Sequence, residues 1–258
     1  MASRNVVFAL AICTSLWACD DKSSAPATAP SASAKVDEKR AAPPPETAPT
    51  GTAAAPKQRV DCKPGASVEF TDPALEAEVR RKLSKDKGPL TPADLKAVRT
   101  VNLSGNKGAD LDPCVFPLLT GVKDIFLGPS QIVDLSPLST LVQLESLRAS
   151  VNKVSDLTPL AKLTKLDRLD LGRTGARDLK PLAGLVNLTE LQLDDTEVSD
   201  LTPLAACTKM EKLSIKRTQV KDLTPLRAMT KLKFLYIEGT PVEDVSPLGA
   251  IKGVKVVR

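Results

Sequence analysis

From residue 119 onward the chain repeats itself every 22 residues. Leu119, Leu141, Leu163, Leu185, Cys207, Met229 and Ile251 stand one period apart. A proline recurs at one phase, at Pro137, Pro159, Pro181, Pro203, Pro225 and Pro247, and an aspartate stands three places before each: Asp134, Asp156, Asp178, Asp200, Asp222 and Asp244. A unit this short cannot bury its own apolar face. It becomes stable only by stacking on copies of itself, which makes a solenoid. A solenoid presents one long rigid surface, so the work expected of such a chain is to hold another molecule.

Each unit has the form L-x-x-L-x-L-x-x-T-x-V-x-D-L-T-P-L-x-x-L. In Leu166-Asp167-Arg168-Leu169-Asp170-Leu171, apolar residues alternate with period two, the mark of a strand with one buried face. Leu169 and Leu171 point inward, and Arg168 and Asp170 point out. The proline segment turns the chain back. A Ser or Thr precedes the proline in five of the six copies from Pro137 onward, which predicts an N-cap and a short helix, 3₁₀ in type, with proline in first place. The recurring aspartate can accept the backbone N–H two residues on. That local task explains the column better than a calcium ladder does. Thr174, Thr196, Thr218 and Thr240 replace an asparagine retained at Asn152, and are expected to bond backbone along the stack. The predicted fold is an α/β solenoid: a parallel concave β-sheet, a convex side of short 3₁₀ turns and loops, and a small helical N-terminal cap.

These units resemble the bacterial leucine-rich repeat proteins with internalin-like repeats. The resemblance covers residues 61 to 258 and implies a recognition scaffold. Two features depart from that family. Internalin-type proteins often follow the repeats with an immunoglobulin-like cap, whereas this sequence ends at Val256-Val257-Arg258, partway through an expected strand. They also reach the cell wall by C-terminal signals, whereas here the tether is expected at the N-terminus.

Four segments are expected. Residues 1–18 read as a signal peptide, with Arg4 before the apolar run Val6 to Trp17. The run ends Leu16-Trp17-Ala18-Cys19 and resembles a bacterial lipobox, which implies lipid on Cys19; Trp17 departs from the usual small residue. Residues 19–60, rich in Ala, Pro, Ser and Thr, read as a disordered spacer. Residues 61–97 form the cap. There Asp72-Pro73 starts one helix, stopped at Gly88-Pro89, and Thr91-Pro92-Ala93-Asp94 starts another, with Leu90 and Leu95 as a hydrophobic staple. Residues 98–258 are the repeats. The expected setting is a bacterial envelope, on the periplasmic side or at the cell surface, with the membrane reached through the N-terminal lipid.

Of the five cysteines, Cys13 leaves with the signal, Cys19 carries lipid, and Cys207 fills an apolar repeat position. Cys62 and Cys114 remain, an even pair in an oxidising compartment. The expectation is a disulfide; the alternative is two thiols, with Cys114 holding the leucine place of a Pro-Leu pair.

Composition excludes much. The chain has no histidine, so it lacks the commonest general base and neutral metal ligand. No phosphate loop, nucleophile elbow or metal-ligand spacing is present in the sequence. Neither an enzyme, a cofactor nor a metal site is expected. A net charge of +5, spread over 36 basic and 31 acidic residues, is too dispersed to imply nucleic acid. The expected state is a monomer that meets a protein partner.

The outward strand residues should carry that contact. Outside the signal the aromatics are Phe70, Phe116, Phe126, Phe234 and Tyr236, and the last three fall on outward strand positions. Charges alternate by layer: Arg168 and Arg173 are basic, Glu190 to Asp195 acidic, Lys212, Lys216 and Arg217 basic. Cross-strand ion pairs are one reading of these rows and a mixed-charge binding face is the other. The predicted contact set is Phe126, Arg148, Arg168, Asp170, Arg173, Lys212, Lys216, Arg217, Phe234 and Tyr236, densest at the C-terminal end. The rival functions are an envelope spacer without a discrete site and a glycan-binding module.

Overall fold

The computed structural model describes Cys62, residues 65–105 and residues 110–258. The expected signal peptide, Cys19 and the spacer lie outside the described residues. No helix among the described residues is long and apolar enough to cross a membrane.

Eight parallel strands form one sheet in sequence order. They are β1 (Thr100–Leu103), β2 (Asp124–Leu127), β3 (Ser146–Arg148), β4 (Arg168–Asp170), β5 (Glu190–Gln192), β6 (Lys212–Ser214), β7 (Phe234–Tyr236) and β8 (Lys255–Val257). The 22-residue period sets the register from β2 to β7, while partners stand 24 residues apart between β1 and β2 and 21 between β7 and β8. Val101, Ile125, Leu147, Leu169, Leu191, Leu213 and Leu235 line up across β1 to β7 and are all buried. The column from Leu119 to Ile251 is buried beside them, and Cys207 fills its place there as a small hydrophobe whose thiol burial pushes upward in pKa. One continuous ribbon of core results, as stacking requires.

Short 3₁₀ helices return the chain on the far side, from Ser136–Leu138 through Ser246–Leu248. Their capping differs from the expectation. The Ser or Thr is the first helical residue, the N-cap is the preceding leucine (Val245 in the last copy), and no side chain of that residue caps the turn. The aspartate two places before the Ser or Thr does the work instead. Asp134, Asp156, Asp178, Asp200, Asp222 and Asp244 each accept the N–H two residues on, at 2.7–2.9 Å. The threonine column also differs. Thr174, Thr196, Thr218 and Thr240 donate to the carbonyl three residues back, within their own turn. At this position the hydroxyl is spent inside its own turn and does not bond the next layer. Asn152 has the reach, accepting from Ile132 N–H and donating to the carbonyl of Gly128.

The strand exits share one further trait. Val151, Arg173, Asp195, Arg217 and Gly239, again 22 residues apart, all have positive φ, between 51° and 70°. Most carry a side chain, although this conformation favours glycine.

The cap is built as its motifs predict, with one change. Helix α1 (Pro73–Leu83) starts at Asp72, whose carboxylate accepts Ala74 N–H. It ends at Leu83, where Ser84 turns left-handed at φ 51°, before Gly88 is reached. Helix α2 (Pro92–Leu95) carries the Thr91–Asp94 capping box. Lys85, together with the Thr91 N–H and hydroxyl, holds Asp94 at a pKa of about 2. Two buried carboxylates fasten the cap to the repeats. Glu78 of α1 accepts the N–H of Asn102 on β1 at 3.0 Å. Asp112, the first member of the aspartate column, accepts from Thr71 N–H and hydroxyl as well as from Cys114 and Val115 N–H. Burial would raise its pKa; the Thr71 hydroxyl and these N–H groups outweigh that and lower it. Cys62 and Cys114 stand at disulfide distance, Sγ to Sγ 1.99 Å. Cys114 is half-buried rather than inward in a leucine place. It shares the phase of Ser136 and gives its N–H to Asp112 as Ser136 does to Asp134.

Candidate functional site

The concave surface is a grid. Register stacks one outward row through Asp124, Ser146, Arg168, Glu190, Lys212, Phe234 and Lys255, and a second through Phe126, Arg148, Asp170, Gln192, Ser214 and Tyr236. All ten predicted contact residues lie on these rows or at the strand exits beside them. Ser146 and Ser214 face outward too, but their short side chains are buried between longer neighbours.

The cross-strand pairing is partial. Arg148 reaches Asp170 at 3.5 Å, and Arg173 and Arg217 share Asp195 at 3.5 and 2.5 Å. The Arg217 guanidinium holds the Asp195 carboxyl below the usual range, and the carboxylate in turn raises the arginine. Lys216 lies 3.7 Å from Glu238. Arg168, however, turns to Asp167 beside it in sequence. Among the described residues, Lys212 and Lys255 have no carboxylate within 4 Å, although Glu190 is the register neighbour of Lys212. These two lysines flank Phe234 in the first row.

The aromatic pair is organised around cations. Phe234 and Tyr236 stack with centroids 6.5 Å apart and planes 19° apart. Lys255 lies over the Phe234 ring at 5.8 Å and Lys216 over the Tyr236 ring at 5.1 Å. One face of each ring thus meets an ammonium, and the two rings run nearly parallel beside one another. Phe234 is still 37% exposed.

At the other end, Phe126 carries Arg148 over its ring at 5.5 Å. Two hollows flank this pair. One, about 160 Å³, lies above Ser146 between Asp124, Arg168 and Glu190. The other, about 410 Å³, lies above Gly128 and Ser150. The outward-row reading missed the second hollow, because it counted large side chains and this space comes from small ones. Among the described residues, no group of three or more acidic or cysteine side chains could hold a metal ion.

No family model matches the chain, and no curated protein matches its sequence. Solved structures do. The chain is similar to internalin C2 of Listeria monocytogenes, with 33% identity and a TM-score of 0.69, over 72% of this chain and 83% of that one. It is similar to another Listeria monocytogenes internalin, with 32% identity and a TM-score of 0.68, over 73% of this chain and 56% of that one. A leucine-rich repeat protein of Leptospira interrogans shares the fold at 16% identity and a TM-score of 0.51, over 63% of this chain and 49% of that one.

Proposed function

The chain belongs to the internalin-like leucine-rich repeat proteins, and from that premise we propose that it is a recognition scaffold whose concave face binds an acidic protein surface. One observation carries this reading: the two concave lysines without a carboxylate partner stand on either side of an exposed phenylalanine. Elsewhere on the face Arg148, Arg168, Arg173, Lys216 and Arg217 each have a carboxylate of the chain within 4 Å. Here a partner's carboxylates meet two ammonium groups that have no carboxylate within 4 Å among the described residues, and Phe234 and Tyr236 supply apolar area beside them. A glycan is less favoured. A sugar stacks on the open face of a ring, and an ammonium already lies over each of these two rings.

In this reading the scaffold is tethered to a bacterial membrane by lipid on Cys19. Wild-type protein is then expected to partition into detergent and Cys19→Ser into buffer. The binding site is tested by crosslinking in intact cells, then capture of the crosslinked protein by purified wild type and Tyr236→Ala. The expected result is one stoichiometric partner whose capture falls at least about fivefold with Tyr236→Ala, at unchanged melting temperature. A lower melting temperature, with capture lost only in proportion to the folded fraction, would mean that the pair merely shields the final layers. No stoichiometric partner would favour an envelope spacer.

A further inference from the structure

Three columns of the solenoid change character together at their N-terminal end. Gly128, Ser150 and Gly172 stand where later layers carry Asp194, Lys216 and Glu238. Pro129 and Val151 stand where later layers carry Arg173, Asp195 and Arg217. Beside them Phe126 replaces the polar residues of the middle strands. Gly128 cannot gain a side chain, since a Cβ there would lie 2.5 Å from the Ser104 carbonyl oxygen. The outcome is the larger hollow, with Gly128 and Ser150 below, Phe126 and Pro129 at its side, and Arg148 as the charged side chain lining it among the described residues.

Val151 sits at the exit of the strand that ends in this hollow. Its φ is +60°, a genuine outlier for a β-branched residue. The ladder imposes the conformation: its N–H donates to the Gly172 carbonyl and its own carbonyl accepts from Ser130 N–H. Arg173, Asp195 and Arg217 bear the same strain, and their side chains form the shared ion pairs. Gly239 meets the same turn with no side chain. Val151 instead leaves its side chain 39% exposed. It is strained, apolar and wet at a place where glycine would be none of these.

We propose that the hollow is a socket for one apolar side chain on a loop of a protein partner, with an acidic residue next to it in the partner's sequence. This rests on the concave-face reading and assigns it a second, separate point of contact. Phe126, Leu127 and Pro129 supply the apolar wall, and Val151, which follows Ser150 of the floor and takes the Ser130 N–H beside Pro129, adds an exposed apolar rim outside it. Arg148 lies over the Phe126 ring and 3.5 Å from Asp170, with its side chain more than half exposed, and is the cation that meets the partner's carboxylate. A cationic neighbour would meet that same guanidinium and be repelled.

Selection of a random-peptide display library on the full chain is the test. Enriched peptides should share an aliphatic or aromatic residue beside Asp or Glu. A synthesised representative should bind at least about tenfold more weakly to Val151→Gly and to Arg148→Gln. Val151→Gly should melt no lower than wild type, because relief of the left-handed strain offsets the added freedom of the unfolded chain. Tyr236→Ala should leave that peptide's affinity unchanged. Enrichment without the apolar–acidic pair, or affinity indifferent to Val151→Gly, overturns the socket, as does a library that yields no binder. Peptides lost with Tyr236→Ala but kept by Val151→Gly overturn it while leaving the C-terminal site in place. A wild-type dimer that Val151→Gly dissolves would make a second copy of the chain the occupant and overturn the partner loop.

Discussion

In the middle of the stack every column keeps one task; in the first layers the same columns are put to other uses. Asp200 accepts one backbone N–H of its own turn. Its counterpart Asp112 does that and also grips Thr71, 41 residues earlier in the chain. Thr196 bonds within its turn, whereas Asn152 spans two repeats. Arg173, Asp195 and Arg217 form an ion-paired column that gives way to Val151 and Pro129. In a repeat protein the regular positions report on stacking. The departures report on what the stack must meet at its ends and on its face.

The largest test of that contrast is the covalent one. Replacing Cys62 and Cys114 by serine opens a closed segment whose ends are 52 residues apart, which should cost about 4 kcal/mol in a denaturant titration. Unchanged stability would leave the cap held by its carboxylates alone. Next comes the aspartate column. Asp112→Ala strands several buried donors and should cost about 3 kcal/mol, while Asp200→Ala, which removes one exposed turn bond, should cost about 1 kcal/mol. Equal losses would erase the distinction between the two ends of the column.

Acid sharpens the same comparison. The native pKa of Asp112 is lowered, so its stabilising effect is whole above the unfolded value of about 3.9 and drains away as pH falls toward the native one. Acid titration of Asp112→Asn should therefore show a shallower loss below about pH 4 than wild type; parallel curves would remove Asp112 from the acid response. The smallest effect belongs to the regular layers. Thr196→Val keeps the shape, drops one buried hydrogen bond and should lower stability by about 1 kcal/mol. A loss near that of Asp112→Ala would show that the middle layers are no more tolerant than the cap.

Much of this architecture is written locally. The 22-residue period sets the register from β2 to β7, Leu169 and its equivalents mark the inward face, and the Asp–x–Ser/Thr–Pro spacing carries the turn. Two features escape a local reading. The left-handed exit is concealed because Arg173, Asp195 and Arg217 carry no glycine signal, and only Gly239 betrays it. Asp112 is legible as a column member but not as a clasp, because Thr71 comes close only once the cap folds over the first strand. The face divides in the same way. Phe234 and Tyr236 stand out in the sequence as aromatics at outward positions, whereas the hollow over Gly128 and Ser150 is made by missing side chains, which leave no periodic mark. Arg168 also misleads, since the row pattern aims it at Glu190 and the fold turns it to Asp167.

The bond from Glu78 to Asn102 has a consequence for self-assembly. A bare strand edge offers donors and acceptors alternately, and any extended chain that docks there presents the same alternation to the next. A carboxylate only accepts. By satisfying an N–H of β1 from a helix, Glu78 answers the edge with a group that offers no N–H of its own for a further strand to continue from. At that position of the edge hydrogen bonding ends on an acceptor-only group, so one rung of the template for a further strand is withdrawn.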